Sequence, residues 1–260
     1  MVALPLAGKR VLVTRAAHQA GKLCEGLRAL GVEPVEVPVI EIRPPEDLRP
    51  LDRALRTLDS YDWLILTSAN TVRALAERLS QLKIPIQSAA PPQVAQVAAI
   101  GEATATAARQ AGFAVALVPE SYVAESLSKS LAGQTRGKKV LLARAAVARD
   151  VIPDALRAAG ATVDVVDAYR NVMPESAPAL LREALQKGIA AAAFTSSSSA
   201  THLAEAARQA GIEFPFAGVA AISIGPITSQ TLRELGWQPA AEASPSEVPG
   251  LIQAVTRALQ

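Results

Sequence analysis

Short, almost wholly apolar runs punctuate this chain: "RVLV" at 10–13, "WLIL" at 63–66, "VLLA" at 140–143 and "AAAF" at 191–194. Runs of that length with no polar alternation predict strands buried on both faces, as in a parallel sheet flanked by helices. Each run passes into a stretch of small polar residues and then into an amphipathic helical pattern. After the first and third runs that helix stops at a glycine and a second strand follows, in "LRALGVEPVEVP" and "ALRAAGATVDVVDAYR". This is the cadence of repeated β-α-β units.

The pattern also repeats at long range. "GKRVLVTR" at 8–15 is echoed by "GKKVLLAR" at 137–144, and "WLILTSANTVRAL" at 63–75 by "AAAFTSSSSATHL" at 191–203. "QVAAIGEATATAARQAGFAVALVPE" at 96–120 is echoed by "AAISIGPITSQTLRELGWQPAAEAS" at 220–244. Three such echoes predict duplication of one α/β unit. The 260 residues suit two domains of roughly 100–150 residues each.

In every echoed block a strand ends where a helix begins, in stretches starting at Thr14, Thr67, Gly101, Arg144, Thr195 and Gly225. Serine and threonine at such points are good helix N-caps, because their oxygens accept from the first unpaired N–H groups. The same positions lie at the C-terminal ends of parallel strands, where free amides and helix dipoles favour anions. Two domains with such rims suggest a ligand carrying several carboxylates or phosphates, held between them.

Composition narrows the chemistry. Aromatic residues make up 3 % of the chain, so packing rests on aliphatic strands and alanine-faced helices. The 26 basic and 24 acidic residues are interspersed, which points away from nucleic acid. No apolar run reaches the roughly 18 residues of a membrane span, so no membrane association is expected. The start of the chain lacks the basic-then-apolar order of a secretory signal, and with the single Cys24 this predicts a cytoplasmic protein.

Familiar catalytic signatures are missing. No G-x-G-x-x-G follows a leading strand, and "GQTRGKK" at 133–139 has the wrong spacing and precedes a strand instead of following one. There is no G-x-S-x-G elbow, and Cys24, His18 and His202 have no metal-ligand spacing; both histidines read as solvated. Glu41, Asp47, Asp164 and Asp167 are carboxylates without an evident partner. Tyr169, at the end of "ATVDVVDAY", reads either as an amphipathic aromatic at a sheet edge or as a functional hydroxyl. Arg15 and Arg144 close the two equivalent leading strands, as solvated charges or as carboxylate ligands.

Taken together and in order, "VLVTR", "LTSANTV", "AIGEATA", "DAYR", "FTSSSSA" and "IGPITS" followed by "LGWQPAAEASPSEVPGLIQAV" resemble the uroporphyrinogen-III synthase family, from about Gly8 to Ala258. The resemblance implies a cyclising lyase that converts hydroxymethylbilane to uroporphyrinogen III, inverting ring D and losing water, without cofactor or metal. It implies two α/β domains with parallel sheets flanked by helices, joined by a two-stranded linker. Residues 1–39 with 172–260 would form one domain and 43–167 the other, with linker strands about 36–42 and 165–171. By the same resemblance Tyr169 would assist loss of the hydroxyl. Arg15 joins the cleft hydroxyls Ser68, Thr104, Ser196, Ser198 and Thr228 as the expected substrate-binding set. The family often has proline where this chain has Ser197. A monomer is expected, with contact to hydroxymethylbilane synthase left open. The competing reading is a two-domain cytoplasmic binding or regulatory protein that clamps a small polyanion.

Overall fold

The computed structural model describes residues 4–86, 95–121 and 124–260. Along the chain these form β1 (Arg10–Val13), α1 (Gly21–Ala29), β2 (Glu33–Glu36), β3 (Glu41–Arg43), α2 (Arg49–Arg56), β4 (Trp63–Leu66) and α3 (Ala69–Gln81). There follow β5 (Gln96–Ala99), α4 (Glu102–Gln110), β6 (Val115–Leu117), α5 (Ala124–Ala132), β7 (Lys139–Ala145), α6 (Val151–Ala158) and β8 (Thr162–Val172). The last stretch contains α7 (Ala177–Gln186), β9 (Ala191–Phe194), α8 (Ser197–Ala210), β10 (Ala220–Ser223), α9 (Pro226–Glu234), β11 (Pro239–Glu242) and α10 (Val248–Leu259).

The chain divides into two compact units, residues 1–41 with 172–260, and residues 42–171. The first holds a sheet of order β2-β1-β9-β10-β11, the second a sheet of order β8-β7-β4-β5-β6 extended at the β8 edge by β3. The registered pairs from β2 to β11 and from β8 to β6 are parallel. The echoed strands therefore hold matching places: β1 with β7, β9 with β4, β10 with β5. In the second unit the order along the chain is permuted, since β4 to β6 come before β7 and β8. Both sheets turn their winding at the same step, β1 to β9 and β7 to β4, where doubly wound proteins open a crevice at the strand C-termini.

Period-two alternation builds the layers. In β9, Ala191 and Ala193 join Leu23, Leu27, Leu251 and Val255 of α1 and α10, while Ala192 and Phe194 join Leu181, Leu203 and Leu232 on the other face. In β4, Trp63 and Ile65 pack with Leu127, Leu131 and Leu156, whereas Leu64 and Leu66 pack with Leu55, Leu75 and Leu79. Alanine in the strands and on α8 lets helix and sheet approach closely. The aromatic residues of the first unit are concentrated in one place. Phe194, Phe214 and Phe216 each meet Trp237 edge-on, at 5.5, 5.1 and 5.3 Å between centroids. Such contacts contribute about 0.5–1.5 kcal/mol beyond burial.

Among the described residues no helix is long and apolar enough to cross a membrane. No group of three or more His, Cys, Asp and Glu side chains is placed to hold a metal ion among them.

Candidate functional site

Four helices start at the C-terminal ends of strands with one shared local design. The N-cap is Ser68 for α3, Gly101 for α4, Ser196 for α8 and Gly225 for α9, and each takes up extended backbone. Three residues on, at the third helical position, stands a buried hydroxyl: Thr71, Thr104, Ser199 and Thr228. Serine caps satisfy an early amide from their own side chain, whereas the glycine caps offer the first amides of their helices no side-chain acceptor. At Gly225 the backbone also passes close to Ser246, whose Oγ would lie 2.7 Å from a Cβ there.

In the second unit the hydroxyls are joined to Tyr169. The Ser68 Oγ accepts from the Thr71 amide at 3.0 Å, lies 3.0 Å from Thr71 Oγ1 and lies 3.2 Å from the Tyr169 hydroxyl. Thr71 Oγ1 lies 3.3 Å from Thr67 Oγ1, which in turn donates to the Ala143 carbonyl at 3.3 Å. The last bond ties β4 to β7 at the step where the winding turns. Tyr169 is only 7 % exposed. It does not end its strand, because β8 continues to Val172. An irregularity delivers it: Arg144 pairs with Asp167 but Ala145 pairs with Tyr169, so Ala168 is one extra residue in β8. Both Ala168 and Tyr169 consequently face the Leu66–Leu75 side of the sheet. Bulges commonly re-aim a side chain in this way.

The equivalent turning step of the first unit has a bond of the same kind, Thr14 Oγ1 donating to the Ala193 carbonyl at 2.9 Å. Beside it the four serines divide their tasks. Ser196 and Ser199 form a reciprocal capping box, with the Ser199 amide donating to Ser196 Oγ at 3.2 Å and the Ser196 amide to Ser199 Oγ at 3.3 Å. Ser197 accepts from Thr231 Oγ1 at 2.9 Å and donates to the Ile227 carbonyl at 3.4 Å, fastening α8 to α9. It occupies the first helical position, where proline is equally well suited, so the resemblance's proline and this serine fit one backbone. The Ser198 hydroxyl engages no side chain or carbonyl among the described residues and is half-buried.

Two sequence readings need correction. His202 is not solvated: it is half-buried, with Nδ1 2.8 Å from the Val39 carbonyl, and because a carbonyl only accepts, Nδ1 carries the proton. The carboxylates are not all without partners either. Asp164 accepts from the Tyr61 hydroxyl at 2.7 Å, and burial with this carboxylate pushes the Tyr61 phenol up. Asp47 accepts from the Arg49 guanidinium and amide, which hold it down at about 2. Arg15 is half-buried and its Nε donates to Gln19 at 3.3 Å. Arg144 is paired with Asp150 at 2.8 Å and donates to the Arg149 carbonyl at 3.1 Å. Thr71 and Ser199 are absent from the expected substrate-binding set, although the spacing of cap and hydroxyl at i and i+3 recurs in all four blocks.

A duplicated, doubly wound α/β protein with hydroxyl-lined strand ends and one tyrosine wired into them is the class that these features define. The family model for uroporphyrinogen-III synthase HemD matches residues 6–253. A uroporphyrinogen-III synthase of Synechococcus elongatus is 34 % identical over 98 % of this chain and 97 % of its own. In fold, the chain is similar to a uroporphyrinogen III synthase variant from the extremely thermophilic bacterium Thermus thermophilus, with a TM-score of 0.66 at 24 % identity, over 97 % of this chain and 99 % of that one. A Helicobacter pylori uroporphyrinogen-III synthetase gives the same TM-score at 20 % identity, over 97 % of this chain and all of that one (100 %). The chain belongs to the uroporphyrinogen-III synthase family.

Proposed function

We propose that this protein is a uroporphyrinogen-III synthase, closing hydroxymethylbilane to uroporphyrinogen III with inversion of ring D and loss of water. Family membership over residues 6–253 supports a small-molecule substrate of tetrapyrrole synthesis. The observation that carries the mechanistic reading is the buried Tyr169 hydroxyl 3.2 Å from Ser68 Oγ at the strand ends. Ring closure with loss of water transfers no electrons, so the reading calls for no redox cofactor.

Tyr169 acts as the general acid. Its hydroxyl donates a proton to the leaving hydroxymethyl oxygen as the C–O bond breaks, water departs, and a resonance-stabilised azafulvene cation remains. The remaining work is positional, since the bilane must be held so that ring D is attacked at its substituted carbon. Open amides at the glycine-capped starts of α4 and α9, with Thr104 and Thr228 beside them, grip the substrate's carboxylates. Ser68, Ser196, Ser198 and Arg15 complete the binding set. We also propose a cytoplasmic setting, in keeping with the single, unpaired Cys24, and a monomeric state.

The test supplies hydroxymethylbilane generated in place from porphobilinogen and its deaminase, then oxidises and separates the isomers. Dominant type III uroporphyrin supports the reading. Type I alone, from protein shown to be folded, overturns it.

A further inference from the structure

Four hydroxyls and one carbonyl form an unbroken line at the β4–β7 step: Tyr169, Ser68, Thr71, Thr67 and the Ala143 carbonyl. Thr71 stands in the middle and is completely buried, at 0 % exposure, so its hydroxyl must find partners within the protein. One end of the line is fixed. A carbonyl only accepts, so Thr67 spends its single proton on Ala143 and can only accept from Thr71. That leaves two consistent proton orders. In one, Tyr169 donates to Ser68, Ser68 to Thr71, and Thr71 to Thr67. In the other, the Thr71 hydroxyl turns to Ser68, Ser68 donates to Tyr169, and the tyrosine proton is released for a ligand.

We propose that Thr71 is a positioning residue for the acid step, a hydroxyl rotor whose turn from Thr67 to Ser68 lets Ser68 donate to Tyr169 as that residue gives up its proton. The inference rests on the reading of Tyr169 as the acid. When the Tyr169 O–H bond breaks, the proton goes to the leaving oxygen and the electron pair stays on the phenolate. That oxygen can then only accept. Ser68 is the donor within reach at 3.2 Å, and the Thr71 hydroxyl, by turning to donate to Ser68 at 3.0 Å, replaces the donor that Ser68 loses when Tyr169 stops donating to it and so supports Ser68's own donation. Thr71 turns between two acceptors, at 3.0 and 3.3 Å, without moving its backbone. The proton lost when ring aromaticity is restored at the end of the reaction returns to the phenolate and resets the line. A dry surrounding strengthens each link.

The experiment compares wild type, Thr71→Val and Thr71→Ser, after the wild type has been shown to make the type III isomer; absence of that isomer would count against the function itself, not the rotor. Valine keeps the shape and loses the hydroxyl, and serine restores the hydroxyl alone. The expected result is a fall in kcat of roughly tenfold in Thr71→Val, the worth of about one hydrogen bond, with KM changed less than about twofold and kcat largely restored in Thr71→Ser. An unchanged kcat in Thr71→Val, a loss confined to KM, or equal losses in both variants overturns the proposal. If Thr71→Val does not fold, Thr67→Val takes its place. With that acceptor gone the rotor is locked toward Ser68, and the expected fall in kcat is under about threefold, while a tenfold or larger fall overturns the proposal.

Discussion

The Tyr169 hydroxyl meets the Ser68 hydroxyl at 3.2 Å, across 101 positions of sequence, because an extra residue in β8 turns the tyrosine toward the cap of α3. Ser68 has two tasks there. It accepts the Thr71 amide as an N-cap, and it gives the tyrosine a fixed polar neighbour. Ser68→Ala is predicted to lower kcat about tenfold, by loss of one hydrogen bond, and to lower stability by about 1 kcal/mol by loss of the cap. Turnover measured beside denaturant unfolding checks this. A loss of stability with turnover intact would separate Ser68 from the chemistry.

In the first unit the serines separate cap from rim. Ser196→Ala breaks the capping box and is expected to cost about 1 kcal/mol of stability. Ser198 takes no part in that box, so Ser198→Ala is expected to leave the unfolding midpoint nearly unchanged and to reduce kcat/KM less than about tenfold. Trp237 lies in the first unit and Trp63 in the second, so fluorescence of variants retaining one tryptophan reads each unit by itself. A much larger loss of activity in folded Ser198→Ala would give that hydroxyl a chemical role.

Most of the strands and helices follow from the sequence because apolar runs, small polar caps and glycine stops agree at each junction. That one α/β design occurs twice was legible in the echoes. Which strands close which sheet did not follow from the echoes, since β4 to β6 precede their β1-like partner β7, and at the level of sequence it came only as an implication of the family resemblance. The face on which Tyr169 lies was equally hidden. Alternation through "TVDVVDAY" places Asp164, Val166 and Ala168 together and puts Tyr169 opposite, and the bulge that reverses this depends on register with β7. Thr71 and Ser199 were visible in principle, as the i+3 partners of Ser68 and Ser196. His202 looked polar and solvated because the Val39 carbonyl that receives it is far away in sequence.

Cys24 provides a control for folding. Burial, with Glu36 nearby, pushes its thiol up to about 11, so little thiolate exists at pH 8. Iodoacetamide is expected to leave the native protein unlabelled at that pH and to label it once in denaturant. Rapid labelling of native protein would contradict the packing of α1.

Acid should weaken the second unit in a defined direction. Hydrogen bonds from Arg78 hold Asp52 below the ordinary carboxylate range, and the Lys139 amide with Lys138 does the same for Asp62. A carboxylate lowered in the folded state contributes stability above its unfolded value of about 3.9, and that contribution disappears as pH falls through the folded value. The Trp63-reported midpoint is therefore expected to stay level from pH 7 to about 5 and to drop below about 4. Asp52→Asn should flatten part of that drop; an unaltered acid slope would remove Asp52 from the account.

The measurement closest to the central claim compares wild type with Tyr169→Phe for type III turnover and for product affinity, on the same folded preparations. Removal of a general acid predicts a fall in kcat of about a hundredfold or more, with product Kd within about threefold of wild type. Equal losses in turnover and affinity, or unimpaired turnover, would contradict the assignment of Tyr169 as the acid.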